Sequence, residues 1–426
     1  MHVSRRSLLG LAGASASALA LGACGDGGSG KDGKTTVNWW HISNTDPMLS
    51  VWAALAKDFE AKHPDVTIKI TPLENEAFKS KLTTVTQGGS PPDLFSTWGG
   101  GVLKQQVDAG LVKDLTADFT SLADTFTPLS TQPYRLDNKV YGVPFDLGMV
   151  GFWYNKELFG RAGIASPPDT WTGLLDAVRK LKAAGITPIA LAGGDKWPGH
   201  YYWAYLAMRI GGLDVLKQAG ADAKFDKPEF VAAGTKLKEL VDLAPFQKGF
   251  LAATYGSPDG QAATMGNGAA AMELMGQWAP SVQNDTSTNK KGIGDKLGFF
   301  PFPAVEGGKG AVTEAFGGGN GFAVGRNAPP ATIEFLKFLV QVDNQRKAAA
   351  TGAVVPVVKG AEDAIKDPNI AAVQKTLAAA TGFQLFLDQA YPPAVGQQVN
   401  DSVAELIAGK ASPQQVVRAV TDAAHK

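Results

Sequence analysis

The residues best suited to chemistry in this chain are indoles, carboxylates and amides that follow predicted strands. Trp98, Trp197 and Trp278 each stand in a loop just after an apolar, strand-like run. An indole offers a flat apolar face, and carboxylates or amides beside it can bind hydroxyl groups. That mixture suits a polyhydroxylated ligand such as a sugar. The other candidates are Glu74, Asp146, His41, Asn44 and Gln277, with Trp203 as a further aromatic and Gly99 as bare backbone.

Several candidates also have a purely structural interpretation. Asp146, the only charge between Lys139 and Lys156, would be satisfied by backbone N–H groups instead of a ligand. Glu74 would cap the helix that follows it, and His41 would be a structural histidine. Four tryptophans lie within predicted strands or on helix faces and are expected in the core: Trp39, Trp52, Trp153 and Trp171.

The first group of loops follows the strands of a predicted parallel sheet. From residue 36 the sequence alternates strand-like runs with helical spacing, which implies parallel strands joined by crossover helices. Ligands bind outside the carboxyl ends of such strands. His41, Glu74 and Trp98 stand just past those ends, so one cleft should collect them. The predicted elements are strand Val37–Trp40, a helix from Asp46 to Pro64, strand Val66–Ile70, helix Glu76–Gln87 and strand Asp93–Thr97.

A second lobe repeats the alternation, and two crossovers connect it to the first. Tyr141–Phe159 is an apolar run interrupted by proline and glycine, so we expect an extended segment that leaves one lobe and enters the other. Thr313–Gly325 predicts the return crossover, where Gly318 and Gly319 let backbone approach a ligand or bend. We therefore expect an α/β fold with a doubly wound sheet in each lobe. Further predicted elements are strands Ile186–Leu191 and Ala269–Met275, a helix starting at Asp169 or Thr170, and helices His200–Ile210, Pro228–Leu243, Pro329–Ala350, Gln397–Ala408 and Pro413–Ala424.

The N-terminus has the pattern of a targeting segment. Arg5 and Arg6 precede an apolar stretch, and residues 21–24, Leu-Gly-Ala-Cys, resemble a bacterial lipobox. Cys24 is the only cysteine, so it suits acylation better than a disulfide. Export by the general secretory or the twin-arginine route stays open. Residues 25–35 predict a flexible tether between lipid and fold.

Charge and histidine spacing narrow the classes of ligand. Lys+Arg and Asp+Glu balance at 40 each, whereas nucleic-acid binding relies on a basic surface. The five histidines are far apart and lack the spacing of a helical metal site. We expect no nucleic acid, no metal and no cofactor.

Several segments taken in order resemble the extracellular solute-binding proteins, family 1, of carbohydrate ABC importers. They are the lipobox, DLFSTWGG at 93–100, YGVPFDLGMVGFWYNKELFGRAGI at 141–164, PPDTWTGLLDAVRKLKAAGITPIAL at 167–191, AAAMELMGQWAP at 269–280 and FGGGNGFAVG at 316–325. The resemblance implies a two-lobed, type II periplasmic-binding-protein fold whose crossovers act as hinges while the lobes close on sugar. It also implies stacking roles for Trp98 and Trp278, acidic contacts from Glu74 and Asp146, and a contact from Gln397, for which Tyr391 is the aromatic alternative.

The expected function is a lipid-anchored receptor on the extracellular face of the cell membrane. It would capture an oligosaccharide as a monomer and deliver it to membrane permease subunits, without being an enzyme. Among relatives it looks most like actinobacterial lipoproteins for xylobiose and similar disaccharides. A secreted glycoside hydrolase, which also uses two carboxylates, and a surface adhesin are the alternatives. The expected division is signal peptide 1–24, tether 25–35, N-terminal lobe 36–146 plus 313–357, and C-terminal lobe 147–312 plus 358–426.

Overall fold

The structure is a computed structural model that describes residues 33–426. The predicted signal peptide with Cys24, and residues 25–32 of the predicted tether, lie outside the described residues. Among those described, no helix combines the length and apolarity needed to cross a membrane.

The strands are β1 Thr35–His41, β2 Val66–Pro72, β3 Leu94–Thr97, β4 Arg135–Leu136, β5 Lys139–Val140, β6 Val143–Pro144, β7 Gly148–Met149, β8 Gly151–Asn155, β9 Met272–Met275, β10 Leu297–Phe300, β11 Glu314–Gly318, β12 Gly321–Val324 and β13 Gly382–Leu385. The α-helices are α1 Met48–Lys62, α2 Asn75–Gln87, α3 Gly100–Asp108, α4 Thr116–Phe119, α5 Pro128–Thr131, α6 Lys156–Arg161, α7 Trp171–Ala183, α8 Trp197–Gly211, α9 Leu213–Asp222, α10 Pro228–Val241, α11 Gln261–Gly266, α12 Ala279–Thr286, α13 Pro330–Leu339, α14 Val342–Ala349, α15 Pro368–Ala378, α16 Leu387–Ala390, α17 Pro393–Ile407 and α18 Pro413–Ala424.

The first lobe is built on a five-stranded sheet in the order β2-β1-β3-β12-β6. β1 pairs in parallel with β2 and β3, which confirms the predicted parallel strands joined by helices. β12 pairs antiparallel with β3 and β6. α1 buries Trp52, Leu55 and Phe59 on one face, as the helical spacing predicts, and ends at Lys62, directly before His63-Pro64. The loops after β1, β2 and β3 consequently emerge at one edge of the sheet.

The second lobe differs from a repeat of the first. Its sheet, in the order β10-β8-β9, is antiparallel. The predicted strand Ile186–Leu191 is wrong: only Ile189 forms isolated parallel bridges, to Phe246 and Met272. Pro188 lies in the middle of that run and lacks the N–H that a ladder requires. α7 begins as predicted, with the Thr170 side chain accepting from the N–H of Gly173 at 3.1 Å.

Both crossovers are present. The outgoing one passes from β6 in the first sheet, through β7, to β8 in the second lobe. The return begins at β11, which pairs with β7 and β13 and packs with the second-lobe core, and continues into β12 of the first sheet. The chain therefore changes sheets between Gly318 and Gly321.

The helices after the return crossover differ in detail from the prediction. The single helix predicted over Pro329–Ala350 is two helices, α13 and α14. The Asn344 side chain donates to the Phe338 carbonyl at 2.7 Å across the break, so that carbonyl is satisfied where the first helix ends. α17 begins at Pro393, earlier than predicted, because proline suits the first helical turn.

Candidate ligand-binding cleft

A cavity of about 660 Å³ lies between the two lobes. Pockets for small organic ligands span roughly 300–1,000 Å³, so the cavity has that size. The first lobe contributes the loops after β1, β2 and β3. The second lobe contributes the start of α8, the loop after β9, and α16. Seven of the predicted site residues line it: Asn44, Glu74, Trp98, Asp146, Trp197, Gln277 and Trp278.

The three indoles are supported by other rings. Trp98 meets Phe78 edge-on, with ring centroids 5.8 Å apart, and Trp278 meets Phe386 edge-on at 6.1 Å. Both indoles are half-buried, so part of each ring stays accessible from the cavity. Trp197 is only 9 % exposed and packs on neighbouring tyrosines. The arrangement offers two accessible apolar faces and one that is nearly covered.

The two predicted carboxylates are held in different ways. Glu74 is exposed and accepts from the N–H groups of Glu76 at 2.9 Å and Ala77 at 3.2 Å, so it caps α2 while also lining the cavity. Asp146 is 3 % exposed. It accepts from the backbone N–H of Asn320 at 2.6 Å and from the side-chain amide of Asn320 at 3.0 Å. Burial raises the pKa of Asp146 to about 6, although the two bonds from Asn320 oppose that rise.

The Gln277 side chain lines the cavity and has one hydrogen-bond acceptor that the described residues leave unpaired. Its side chain is 1 % exposed, and its Oε1 atom has no hydrogen-bond partner among the described residues. Its carboxamide lies directly against Gly148, where even a Cβ would overlap it. An unpaired buried oxygen costs about 1–3 kcal/mol, which a donor from a ligand would offset.

Six predicted site residues lie away from the cavity. His41 is 1 % exposed and packs against Trp39 and Trp52. Trp203 is fully buried, stacks on Phe230 and donates to its carbonyl at 3.3 Å. Neither side chain is placed to contact a ligand.

The three glycines and Gln397 are also placed elsewhere. The space beside each glycine is filled by protein: the Pro133 backbone at Gly99, the Phe386 ring at Gly318 and the Asp146 carbonyl at Gly319. Gln397 is exposed on α17 and donates to Asp401 at 3.1 Å. Its aromatic alternative, Tyr391, is buried and donates to the Leu216 carbonyl at 2.9 Å.

Sequence reasoning missed an ion pair between the lobes. Lys79 of α2 lies 3.1 Å from Glu76 and 3.5 Å from Asp388 of α16. Burial alone would lower the pKa of Lys79, but Asp388 and Glu76 together raise it. Burial would likewise raise the pKa of Asp388, but Lys79, His200 and the Asn400 hydrogen bond together lower it. Both groups are therefore charged at neutral pH. The i, i+3 spacing of Glu76 and Lys79 was visible in the sequence, whereas nothing local points to Asp388.

Asp195 was missed although its loop was predicted. It lies two residues before Trp197 and accepts from the N–H of Tyr255 at 2.6 Å. Burial raises its pKa to about 6; the Tyr255 bond opposes the rise, and the nearby carboxylates of Glu74 and Glu76 add to it. Its position across the cavity from those two first-lobe residues gives the cleft an acidic lining.

The sequence matches the family described as bacterial extracellular solute-binding protein over residues 43–346. An uncharacterised ABC transporter extracellular-binding protein of Pyrococcus horikoshii is 29 % identical over 255 residues, which are 57 % of this chain and 55 % of that protein. The chain thus aligns with about half the length of that relative. The sn-glycerol-3-phosphate-binding periplasmic protein of Shigella flexneri is 26 % identical over 94 % of each chain.

Two solved structures share the fold along nearly the whole chain. One comes from work on xylan utilisation by Caldanaerobius polysaccharolyticus, with 28 % identity, a TM-score of 0.81, and coverage of 91 % of this chain and 99 % of that one. The other is a chitin oligosaccharide binding protein, with 27 % identity, a TM-score of 0.82, and coverage of 92 % and 98 %. Both support the two-lobed, type II architecture.

Proposed function

The chain belongs to the bacterial extracellular solute-binding proteins, and we propose that it captures an oligosaccharide in the cleft between its lobes and delivers it to the permease of an ABC importer. Proteins of this family bind and do not catalyse. The observation that carries the proposal is one cavity lined by the accessible indoles Trp98 and Trp278, with the unpaired Oε1 of Gln277 beside them. Stacking faces combined with hydrogen-bonding groups suit the apolar faces and hydroxyl rims of sugars.

The proposed ligand is xylobiose, a xylo-oligosaccharide or a similar disaccharide. The similarity to a protein from xylan utilisation and to a chitin oligosaccharide binding protein, each above 25 % identity, supports a β-linked plant or chitin fragment. The cavity volume of about 660 Å³ is compatible with a ligand of two or three sugar units.

The lipid anchor is part of the same proposal. Cys24 would carry the lipid, and residues 25–35 would tether the lobes to the extracellular face of the membrane beside the permease. The support is the lipobox-like end of the targeting segment and the absence of any other cysteine from the sequence.

A saccharide panel tests the proposal. Xylobiose, xylotriose, chitobiose, cellobiose and maltose are compared by thermal shift, and any hit is titrated calorimetrically. A ligand at 100 times its Kd should add about 2.7 kcal/mol to the free energy of unfolding. We expect saturable binding to xylo- or chito-oligosaccharides and no release of reducing ends on prolonged incubation. No saturable binding to any saccharide would refute the proposal.

A further inference from the structure

We propose that the cleft selects its ligand by charge: it admits neutral and cationic saccharides and excludes anionic ones such as phosphate esters and uronates. This inference rests on the proposed function, because it describes the saccharide that the same cavity takes. It names one class of substrate that the cavity should accept and one that it should reject.

The lining is strongly acidic. Carboxylates reach the cavity from both lobes, whereas Lys79 is the only lysine or arginine among the lining residues that the structure describes. Like charges placed together at a binding site cost several kcal/mol. An anionic ligand would meet that repulsion on entering. The lining carboxylates are Asp46, Glu74, Glu76, Asp146, Asp195 and Asp388.

The Lys79 ammonium is already paired with two carboxylates, so it cannot neutralise the charge of an anionic ligand. Its ammonium pairs with Glu76 on its own helix and with Asp388 on the opposite lobe, at 3.1 and 3.5 Å. The Asp388 side chain is only 10 % exposed, and its other donor is the Asn400 amide at 3.3 Å. Moving Lys79 towards a bound anion would leave Asp388 buried and poorly paired, which is costly.

Uncharged groups of the cavity point to the same class of ligand. Gln277 and Gln389 are 1 % and 5 % exposed, and the Oε1 atom of each has no partner among the described residues. Both residues line the cavity, and the Gln277 carboxamide lies against Gly148. Sugar hydroxyls and ammonium groups donate hydrogen bonds, whereas phosphate dianions and carboxylates only accept them. A ligand that donates hydrogen bonds would satisfy either oxygen once its carboxamide turns towards the cavity, whereas an anionic group would not.

One relative of this chain is named for an anionic ligand. The Shigella flexneri relative is named for sn-glycerol 3-phosphate and aligns over 94 % of both chains. The architecture shared along the chain therefore does not by itself exclude a phosphate ester. In this chain the exclusion follows from its own lining residues.

The first test needs no ligand. Of the nine tryptophans, only Trp40, Trp98 and Trp278 are more than marginally exposed. Trp40 lies outside the cavity, with the Lys81 ammonium 4.3 Å from its ring centroid. In a Trp40→Phe protein, quenching by caesium, iodide and acrylamide therefore reports on the cleft. We expect caesium to quench severalfold better than iodide, relative to free N-acetyltryptophanamide, and the difference to vanish in Trp98→Phe/Trp278→Phe. Equal or stronger quenching by iodide would overturn the inference.

The second test compares disaccharides that differ in charge and adds sn-glycerol 3-phosphate as a smaller anion. Neutral chitobiose, its fully de-N-acetylated cationic form, an aldobiouronic acid and sn-glycerol 3-phosphate are titrated calorimetrically. We expect both anions to bind at least about 100-fold more weakly than the better of the other two. Asp195→Asn should reduce that ratio. Asp176→Asn, which removes the same charge from an exposed position on α7, should leave it unchanged.

The two proposals fail in different ways. If no saccharide binds, the proposed function fails together with the admission of saccharides stated here, while the quenching ratio still decides whether the cleft repels anions. If a neutral saccharide binds and an anion binds equally well, the charge inference fails and the proposed function stands.

Discussion

The ion pair between Lys79 and Asp388 should help to hold the lobes together, because its members come from opposite sides of the cleft. Lys79 lies on α2 of the first lobe and Asp388 on α16 of the second. Lys79→Met and Asp388→Asn each remove the attraction and nearly keep the shape of the side chain. Either change should favour separated lobes, and ligand affinity should fall because only closed lobes contact the ligand from both sides.

The magnitude follows from distance and burial. Two unit charges 3.5 Å apart attract by about 5 kcal/mol at an effective dielectric constant of 20. The cost of taking the charges out of water offsets most of that attraction. Because the Lys79 side chain keeps 27 % exposure, we expect a net coupling of roughly 1–2 kcal/mol, or about a 5- to 30-fold loss of affinity.

A double-mutant cycle isolates this coupling. The Kd of the tightest saccharide is measured for Lys79→Met, Asp388→Asn and the double variant, and small-angle scattering gives the radius of gyration of each ligand-free protein. Lys104→Met is the matched control, because its pair with Asp108 is exposed and lies within α3. A coupling energy near zero, with radii equal to that of the unmodified protein, would refute the reasoning.

Three further predictions concern other parts of the chain. Trp98→Ala and Trp278→Ala should each weaken sugar binding by about 1–3 kcal/mol with little loss of stability; Trp171→Ala, whose ring is fully buried, should cost roughly 3–5 kcal/mol of stability and spare the affinity of the folded fraction. Calorimetry and denaturant unfolding compare the three, and the reverse pattern would place the first two indoles in the core. Cys24→Ser should release folded protein from the membrane to the medium with unchanged affinity; continued membrane retention would contradict the anchor. Glu273 is fully buried, and burial raises its pKa from 4.5 to about 7 against the bonds from Gln283 and Gln261. The folded state then holds this proton where the unfolded state has released it, so stability should fall by roughly 3 kcal/mol as pH rises from 4.5 to 7. Unfolding of Glu273→Gln at pH 5 and pH 8 should lack this component, and an identical pH dependence in both proteins would count against it.

The first lobe could be predicted because its local patterns determine its topology. Alternating strands and helices impose parallel pairing, and parallel pairing brings the loops after successive strands to one edge. Asn44, Glu74 and Trp98 line the cavity for that reason. The alternation of residues along β1 could have excluded His41 as a ligand contact. It is two residues after Trp39 and four after Val37, and all three are buried on one face of β1.

Local sequence patterns could not predict how the second lobe contributes to the cavity. α8 is buried on nearly all sides, so its apolar sequence cannot distinguish the face at Trp197, which reaches the cavity, from the face at Trp203, which packs on Phe230. Asp388 meets Lys79 only because the chain, after α13 and α14 of the first lobe, passes back into the second lobe before α16. Contacts between residues so distant in sequence follow from the packing of the two lobes, and no short motif indicates them.

The bonds between the crossovers determine where the lobes can turn. Phe145 and Asp146 both donate backbone N–H groups to the Asn320 carbonyl, at 2.7 and 3.1 Å. Asn320 returns its backbone N–H and its side-chain amide to the Asp146 carboxylate. Four hydrogen bonds therefore join the outgoing and returning chains at one point, next to the places where each leaves the first sheet. Because four hydrogen bonds hold this buried junction, we expect rotation of one lobe against the other on its second-lobe side, at residues 147–148 and 318–319. There Gly148, Gly318 and Gly319 lack the side chains that would collide with Gln277, Phe386 and the Asp146 carbonyl. Close packing beside the junction thus explains the glycines of the crossovers, and the Asp146 carboxylate joins the two crossover segments.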